Sequence, residues 1–186
     1  MENGNRDNMI LIIQMCNIRF HYLEFVKPIE DVIKRNKIEF ESMHYKKLTD
    51  EILSKAEKII LSGTSLKDNE FLEDLDDFTW IKEFNKPILG ICGGMHILGL
   101  VFNGELKKQQ EIGLTDINFK KEFLGLDGKK QVYELHNYYA ESKSFDVIGT
   151  SEDCPQAVKH KQKPFYGVLF HPEVRNKELL VNFTYL

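Results

Sequence analysis

Two short segments hold residue types that could do covalent chemistry together. The first is Gly90-Ile91-Cys92-Gly93-Gly94, which closes the apolar run begun by Ile88-Leu89. A glycine-flanked cysteine where a buried strand passes into a helix has the makings of a nucleophile elbow, with sulfur in place of a hydroxyl. Glycines at 90, 93 and 94 would permit a sharp turn there. The N-terminus of the new helix would favour a negative sulfur and leave backbone N–H groups free to hold an oxyanion. Taken alone, the segment reads equally well as an inert cysteine buried in a tight turn.

The second segment is Tyr166-Gly167-Val168-Leu169-Phe170, a strand that delivers His171-Pro172-Glu173. Pro172 would hold His171 extended, because a residue before proline avoids the helical region. In an extended chain, residues two apart point to the same side. Glu173 would then reach the imidazole and fix its tautomer and orientation. A lone histidine is more often a surface or capping residue. Paired with the cysteine elbow, a His-Pro-Glu after a buried strand favours nucleophilic acyl transfer.

These residues need elements to position them. Met9-Ile10-Leu11-Ile12-Ile13 has the length and continuous apolarity of a strand covered on both faces. From about 21 to 36, Leu23, Val26, Ile29, Val32 and Ile33 recur at helical spacing, with Pro28 starting or kinking the helix. A strand over 38–43, a short helix over 50–55 and a strand over 58–61 follow, the last ended by Ser62-Gly63. The stretch 68–84 reads as a helix with Phe71, Leu72, Leu75, Phe78 and Ile81 inward. Its acids Glu70, Glu73, Asp74, Asp76 and Asp77 make a solvated face. After the strand over 88–91, residues 95–102 are too apolar for a surface helix. Strands alternating with helices indicate a parallel α/β sheet, whose ligand sites lie at the carboxyl ends of its strands. Beyond Gly104 short strands dominate, over 112–119, 131–135, 145–150, 157–159 and 166–170, before a final helix over 176–183.

The chain has 186 residues, which suits one domain over 9–186 after a polar, flexible tail at 1–8. Its composition, 42% hydrophobic and 29% charged, is that of a globular protein rather than a disordered one. The 25 basic and 29 acidic side chains give a net charge of -4, so nothing supports nucleic-acid binding. No apolar run is long enough to span a membrane, and the N-terminus lacks the pattern of a signal peptide. Three cysteines without a CxxC pair fit a reducing, cytoplasmic setting. Cys16 and Cys154 have no neighbouring base and no metal-ligand spacing, so both read as structural; no metal and no cofactor are expected. No Walker-type glycine loop is present, so the chain would not activate an acceptor itself.

Gly90-Ile91-Cys92-Gly93-Gly94-Met95-His96, followed by Tyr166-Gly167-Val168-Leu169-Phe170-His171-Pro172-Glu173, resembles the class I, triad-type glutamine amidotransferase family over nearly the whole chain. The resemblance implies an open, mostly parallel, flavodoxin-like sheet with helices on both faces and extra short antiparallel strands in the C-terminal half. It implies hydrolysis of the glutamine side-chain amide by Cys92, His171 and Glu173 through a glutamyl thioester, with ammonia supplied to a partner synthetase subunit. Gly93 and the loop at Gly63-Thr64 would form the oxyanion hole. His96 stands where the family usually has glutamine, and Glu134-Leu135-His136-Asn137-Tyr138-Tyr139 resembles a His-Ser-Tyr segment beside bound glutamine. His96, His136, Asn137 and Tyr138 would thus hold substrate, although an exposed aromatic loop is an equal reading of 134–139.

The chain also departs from the family pattern. Thr64 and Ser65 replace a second glycine and a proline, and a β-branched residue would strain that turn. Leu169 replaces the glutamine before Phe-His-Pro-Glu, and Gln14-Met15-Cys16-Asn17-Ile18-Arg19 lacks the glycine-rich run of GMP-synthetase subunits. An intact triad with an altered recognition shell leaves two other readings. One is a γ-glutamyl hydrolase-like enzyme acting on another γ-glutamyl amide; the other is a non-catalytic regulatory module of the same fold.

Overall fold

The computed structural model describes residues 9–152 and 154–186; the expected N-terminal tail lies outside them. Among the described residues nine strands form one sheet: β1 Ile10–Gln14, β2 Phe40–His44, β3 Lys58–Leu61, β4 Ile88–Ile91, β5 Glu105–Phe123, β6 Leu126–Glu141, β7 Phe145–Thr150, β8 Pro155–His160 and β9 Phe165–Val168. Their order is β2-β1-β3-β4-β9-β8-β7-β5-β6. The first five strands in that order are parallel. The remaining pairings are antiparallel, so the sheet is mixed. Besides a single α-helical turn at Arg19–His21, the α-helices among the described residues are α1 Lys27–Arg35, α2 Asp50–Lys55, α3 Gly93–Val101 and α4 Glu178–Thr184.

The continuous apolarity of the parallel strands is explained by what covers them. Ile10 and Ile12 of β1 join a core with Ile29 and Ile33 of α1 and Leu179 and Phe183 of α4. Leu11 and Ile13, on the other face, pack with Phe71, Phe78 and with Met95 and Leu98 of α3. Helix α3 has only Leu100 partly open to solvent, as its composition suggested. With both faces sealed, access is left at the strand ends, where Ser62-Gly63, Cys92 and the segment leading to His171 follow β3, β4 and β9.

Three elements differ from expectation. The stretch 21–36 is not one helix: a turn at Arg19–His21 and a five-residue π-helical turn at Tyr22–Val26 precede α1, which carries Pro28 in its first turn. The stretch 68–84 forms two 3-10 segments, Glu70–Leu72 and Leu75–Lys82. Leu72, Leu75, Phe78 and Ile81 recur every third residue, which is the period of a 3-10 helix. Of its acids, Asp74 is not freely solvated, because it accepts a hydrogen bond from Tyr45 at 2.6 Å. The largest difference is that 112–119 and 131–135 are parts of one long hairpin, β5 and β6, closed by Leu124 at φ 51° and Gly125 at φ 88°. Its register shifts between Lys108 and Glu111. No helix among the described residues is long and apolar enough to cross a membrane.

Candidate active site

Cys92 caps α3 with φ 46° and ψ -102°, a backbone that costs a side-chain-bearing residue about 1–3 kcal/mol. Fixed neighbours hold it there. Its N–H donates to the Val168 carbonyl at 2.8 Å, and its carbonyl accepts from His96 N–H at 3.0 Å. The flanking glycines have no positive φ, which corrects the expectation that they supply the sharp turn. They supply space instead. A Cβ on Gly94 would stand 2.5 Å from the Leu61 carbonyl oxygen, and one on Gly90 2.6 Å from that of Gly94. The cysteine carries the strain, and the glycines let α3 close onto β3 and β4.

His171 lies three residues beyond β9. Its pairing with Glu173 is present, although the backbone differs from the extended form expected. Val174 N–H donates to the His171 carbonyl at 3.1 Å, so residues 171–174 form a turn with Pro172 at its second position. The turn brings Glu173 Oε1 to 2.7 Å from His171 Nδ1, with both side chains buried. Burial disfavours the imidazolium, but the Glu173 carboxylate and the neighbouring Cys92 outweigh it and hold the His171 pKa well above the usual value. Its Nε2 is buried with no hydrogen-bond partner among the described residues. Phe25, from the π-helical turn, covers the ring at a centroid distance of 5.3 Å.

The loop after β3 abuts both groups. A Cβ on Gly63 would stand 2.7 Å from His171 Cε1 and 3.5 Å from Cys92 Cβ. Thr64 does not adopt a positive φ, so the strain expected of a β-branched residue there does not arise. A Cβ on Gly93 would be 3.5 Å from Thr64 Oγ1, which places this loop against the start of α3.

The segment 134–139 is not an exposed loop but part of β6, folded over the cysteine. The Leu135 carbonyl accepts from Cys92 Sγ at 3.7 Å. His136 is buried; its Nδ1 lies 3.1 Å from the Gln109 carbonyl, and its Nε2 3.2 Å from Glu111 and 3.4 Å from Glu134. Burial opposes the charge of His136, but those two carboxylates raise its pKa to about 9. Asn137 Oδ1 accepts from Gln110 at 2.6 Å, and Tyr138 stands at the exposed rim. His96 Nε2 lies 2.9 Å from the Tyr138 carbonyl. Burial lowers the His96 pKa to about 4, so the ring is neutral and Nε2 donates that bond. Thr64, Cys92, His96, His136, Asn137 and Tyr138 line one cavity, whose free volume of about 10 Å³ holds little more than one water. Leu169 is not in this lining; it is fully buried in the core with Met95 and Phe165.

Cys16 is buried, and burial followed by the Asp68 charge pushes its thiol up to about 11, in keeping with a structural role. Cys154 differs from expectation, because its Sγ lies 3.2 Å from a Glu111 carboxylate oxygen. Phe25, Glu111, Glu134 and the Leu135 carbonyl were not foreseen. Glu134 alone had a sequence signal, as an acid two residues before His136 in a strand.

Comparison with known proteins accords with this geometry. The family model for class-I glutamine amidotransferases matches residues 21–183. One subunit of the glutamine-hydrolyzing GMP synthase of Pyrococcus abyssi is 37% identical over 145 residues, 69% of this chain and 74% of that one. The glutamine-hydrolyzing GMP synthase of Spiroplasma kunkelii is 35% identical over 141 residues, 68% of this chain but only 27% of that protein. A solved Thermoplasma acidophilum protein, described as a GMP synthase subunit, superposes with a TM-score of 0.84 over 95% of this chain and 92% of that one. At 24% identity, that structure speaks for the fold alone. With the family model covering almost all of the described residues, the chain belongs to the class-I glutamine amidotransferases.

Proposed function

We propose that this chain hydrolyses the side-chain amide of glutamine through Cys92, His171 and Glu173, and passes the ammonia to a separate synthetase. The observation that carries the proposal is the buried His171–Glu173 pair, 2.7 Å apart, set beside a cysteine held at φ 46°. With Nδ1–H donated to Glu173, the Nε2 of His171 takes the thiol proton, and the raised pKa of the ring favours the imidazolium so formed. Cys92 Sγ attacks the amide carbon, and the oxyanion is held by the N–H groups of Gly93 and Thr64. His171 then protonates the departing ammonia, and water hydrolyses the thioester. His96, His136, Asn137 and Tyr138 line the cavity and are the candidates to hold the rest of the substrate.

The names of the relatives support a GMP-forming synthetase as the partner, even though Gln14–Arg19 lacks the glycine-rich run. A cavity of about one water supports activity that depends on a partner to move β6. The test is ammonia release from glutamine by the intact protein and by Cys92→Ala, each alone and with a GMP-type synthetase subunit. Release that requires both Cys92 and the partner is expected. Equal low rates for the two proteins in all mixtures refute the proposal. Partner-free turnover of a γ-glutamyl anilide with little use of glutamine would replace it with a γ-glutamyl hydrolase.

A further inference from the structure

Behind the wall of the Cys92 cavity, three strands and a turn bring Glu111, Glu134 and Cys154, which the proposed hydrolysis does not use, up to His136, whose ring also lines that cavity. Glu111 follows the register shift in β5. Glu134 and His136 share the inner face of β6, and Cys154 immediately precedes β8. We propose that Glu111, Glu134, His136 and Cys154 form a buried binding site for one divalent transition metal of the zinc class.

Three of the distances fall near the edges of a coordination polyhedron. Bonds of about 2.0–2.3 Å from zinc to N, O and S imply tetrahedral edges of about 3.3–3.7 Å. Glu111 Oε2 lies 3.2 Å from Cys154 Sγ and 3.2 Å from His136 Nε2, and Glu134 Oε2 lies 3.4 Å from the same Nε2. One ligand atom each from Glu111, His136 and Cys154 all fall within 4.8 Å of one another. Glu134 stands outside that group of three and joins it through His136.

The surroundings also suit a metal. His136 Nδ1 lies 3.1 Å from the Gln109 carbonyl, so it carries a proton and aims Nε2 at the carboxylates. A ligating histidine is oriented in this way, by donating its other ring N–H to a carbonyl. Gln156 Nε2 donates to Glu111, fixing that carboxylate in turn. Glu134 is fully buried, yet neither of its oxygens has a hydrogen-bond partner among the described residues. A single proton on Nε2 cannot serve both Glu111 and Glu134, whereas a dication can. The donor set selects the class: thiolate and imidazole favour zinc-like ions over magnesium or calcium.

Binding is balanced by proton release. The thiol of Cys154 loses the proton on Sγ, the imidazole of His136 loses that on Nε2, and any proton on Glu134 leaves with them. The metal would tie β6, which carries the cavity wall at Leu135–Tyr138, to β5 and to the start of β8. The competing reading is a metal-free network in which an imidazolium sits between two carboxylates.

The test uses the whole chain, stripped of metal by a chelator and kept reduced with a phosphine, then titrated with Co²⁺ alone. One Co²⁺ per chain is expected, with a near-ultraviolet thiolate-to-cobalt absorption that Zn²⁺ abolishes by displacement. Cys92→Ala should retain this band and Cys154→Ser should lose it. Glu134→Gln should weaken Co²⁺ binding roughly 10–100-fold. Far-ultraviolet circular dichroism checks the fold of each variant, and Glu134→Gln decides the matter if Cys154→Ser does not fold. Absence of stoichiometric binding overturns the proposal, as does a band that survives Cys154→Ser, a band lost with Cys92→Ala, or unchanged affinity in Glu134→Gln.

Discussion

Glu173 Oε1 lies 2.7 Å from His171 Nδ1, and both side chains are buried. A carboxylate so placed works through the imidazole and does not touch substrate. Glu173→Gln should therefore lower kcat for glutamine hydrolysis by roughly 10²–10⁴-fold while leaving KM near its original value. Steady-state ammonia release by the chain with its synthetase measures both. An unchanged kcat would remove Glu173 from the mechanism.

Two glycines near the site separate activity from stability. The Cβ of Gly63→Ala would meet the His171 ring, 2.7 Å from Cε1. That ring must shift, and misplacement by about 1 Å can cost on the order of 10² in rate. The Cβ of Gly94→Ala would meet the Leu61 backbone at 2.5 Å. Such overpacking destabilises by about 1–3 kcal/mol. Melting curves should show the larger loss for Gly94→Ala, and rate measurements a loss of about 10² for Gly63→Ala with its fold kept.

His96 couples acidity to stability. Burial lowers its pKa from 6.5 to about 4 in the folded chain. Between those values the unfolded chain binds the proton and the folded chain does not. Stability is therefore full above about pH 6.5, falls as the pH drops toward 4, and levels off below that. The loss attributable to His96 is up to about 3 kcal/mol. Urea unfolding from pH 7 to pH 4 should show a shallower decline in His96→Gln, and parallel declines would count against this assignment.

Phe25 caps the His171 ring from the π-helical turn and is itself buried. Phe25→Ala should cost about 3–5 kcal/mol of stability and open a void beside the imidazole. Thermal denaturation reads the first effect. A variant as stable as the parent would mean that the turn collapses onto the ring.

Much of the proposed catalytic arrangement was legible because Cys92, His171 and Glu173 each follow an apolar run whose buried-strand character is plain. The parallel pairing of these strands was expected from their alternation with helices, whereas their order in the sheet was not read from the sequence. The contact between Glu173 and His171 was anticipated on the wrong backbone: a two-residue offset suits both an extended chain and a proline-started turn, and pattern alone does not separate them. The hairpin of β5 and β6 was harder to read. Its half-exposed strands interrupt the apolar positions with polar runs such as Lys107-Lys108-Gln109-Gln110 and Lys129-Lys130-Gln131, so only the more apolar stretches stood out. The proximity of Glu111, His136 and Cys154 escaped notice because sheet register and a turn bring them together, not sequence spacing. His136 also illustrates why substrate contacts were less legible than the triad, since whether β6 lies open or folds over Cys92 is decided by long-range packing.

The Leu135 carbonyl resting on Cys92 Sγ has a consequence for the reactivity of the thiol. Alkylating agents and peroxide should reach that sulfur faster during excursions in which β6 withdraws. The labelling rate of Cys92 is then a clock for those excursions, and whatever shortens the wait between them acts as a switch on the enzyme.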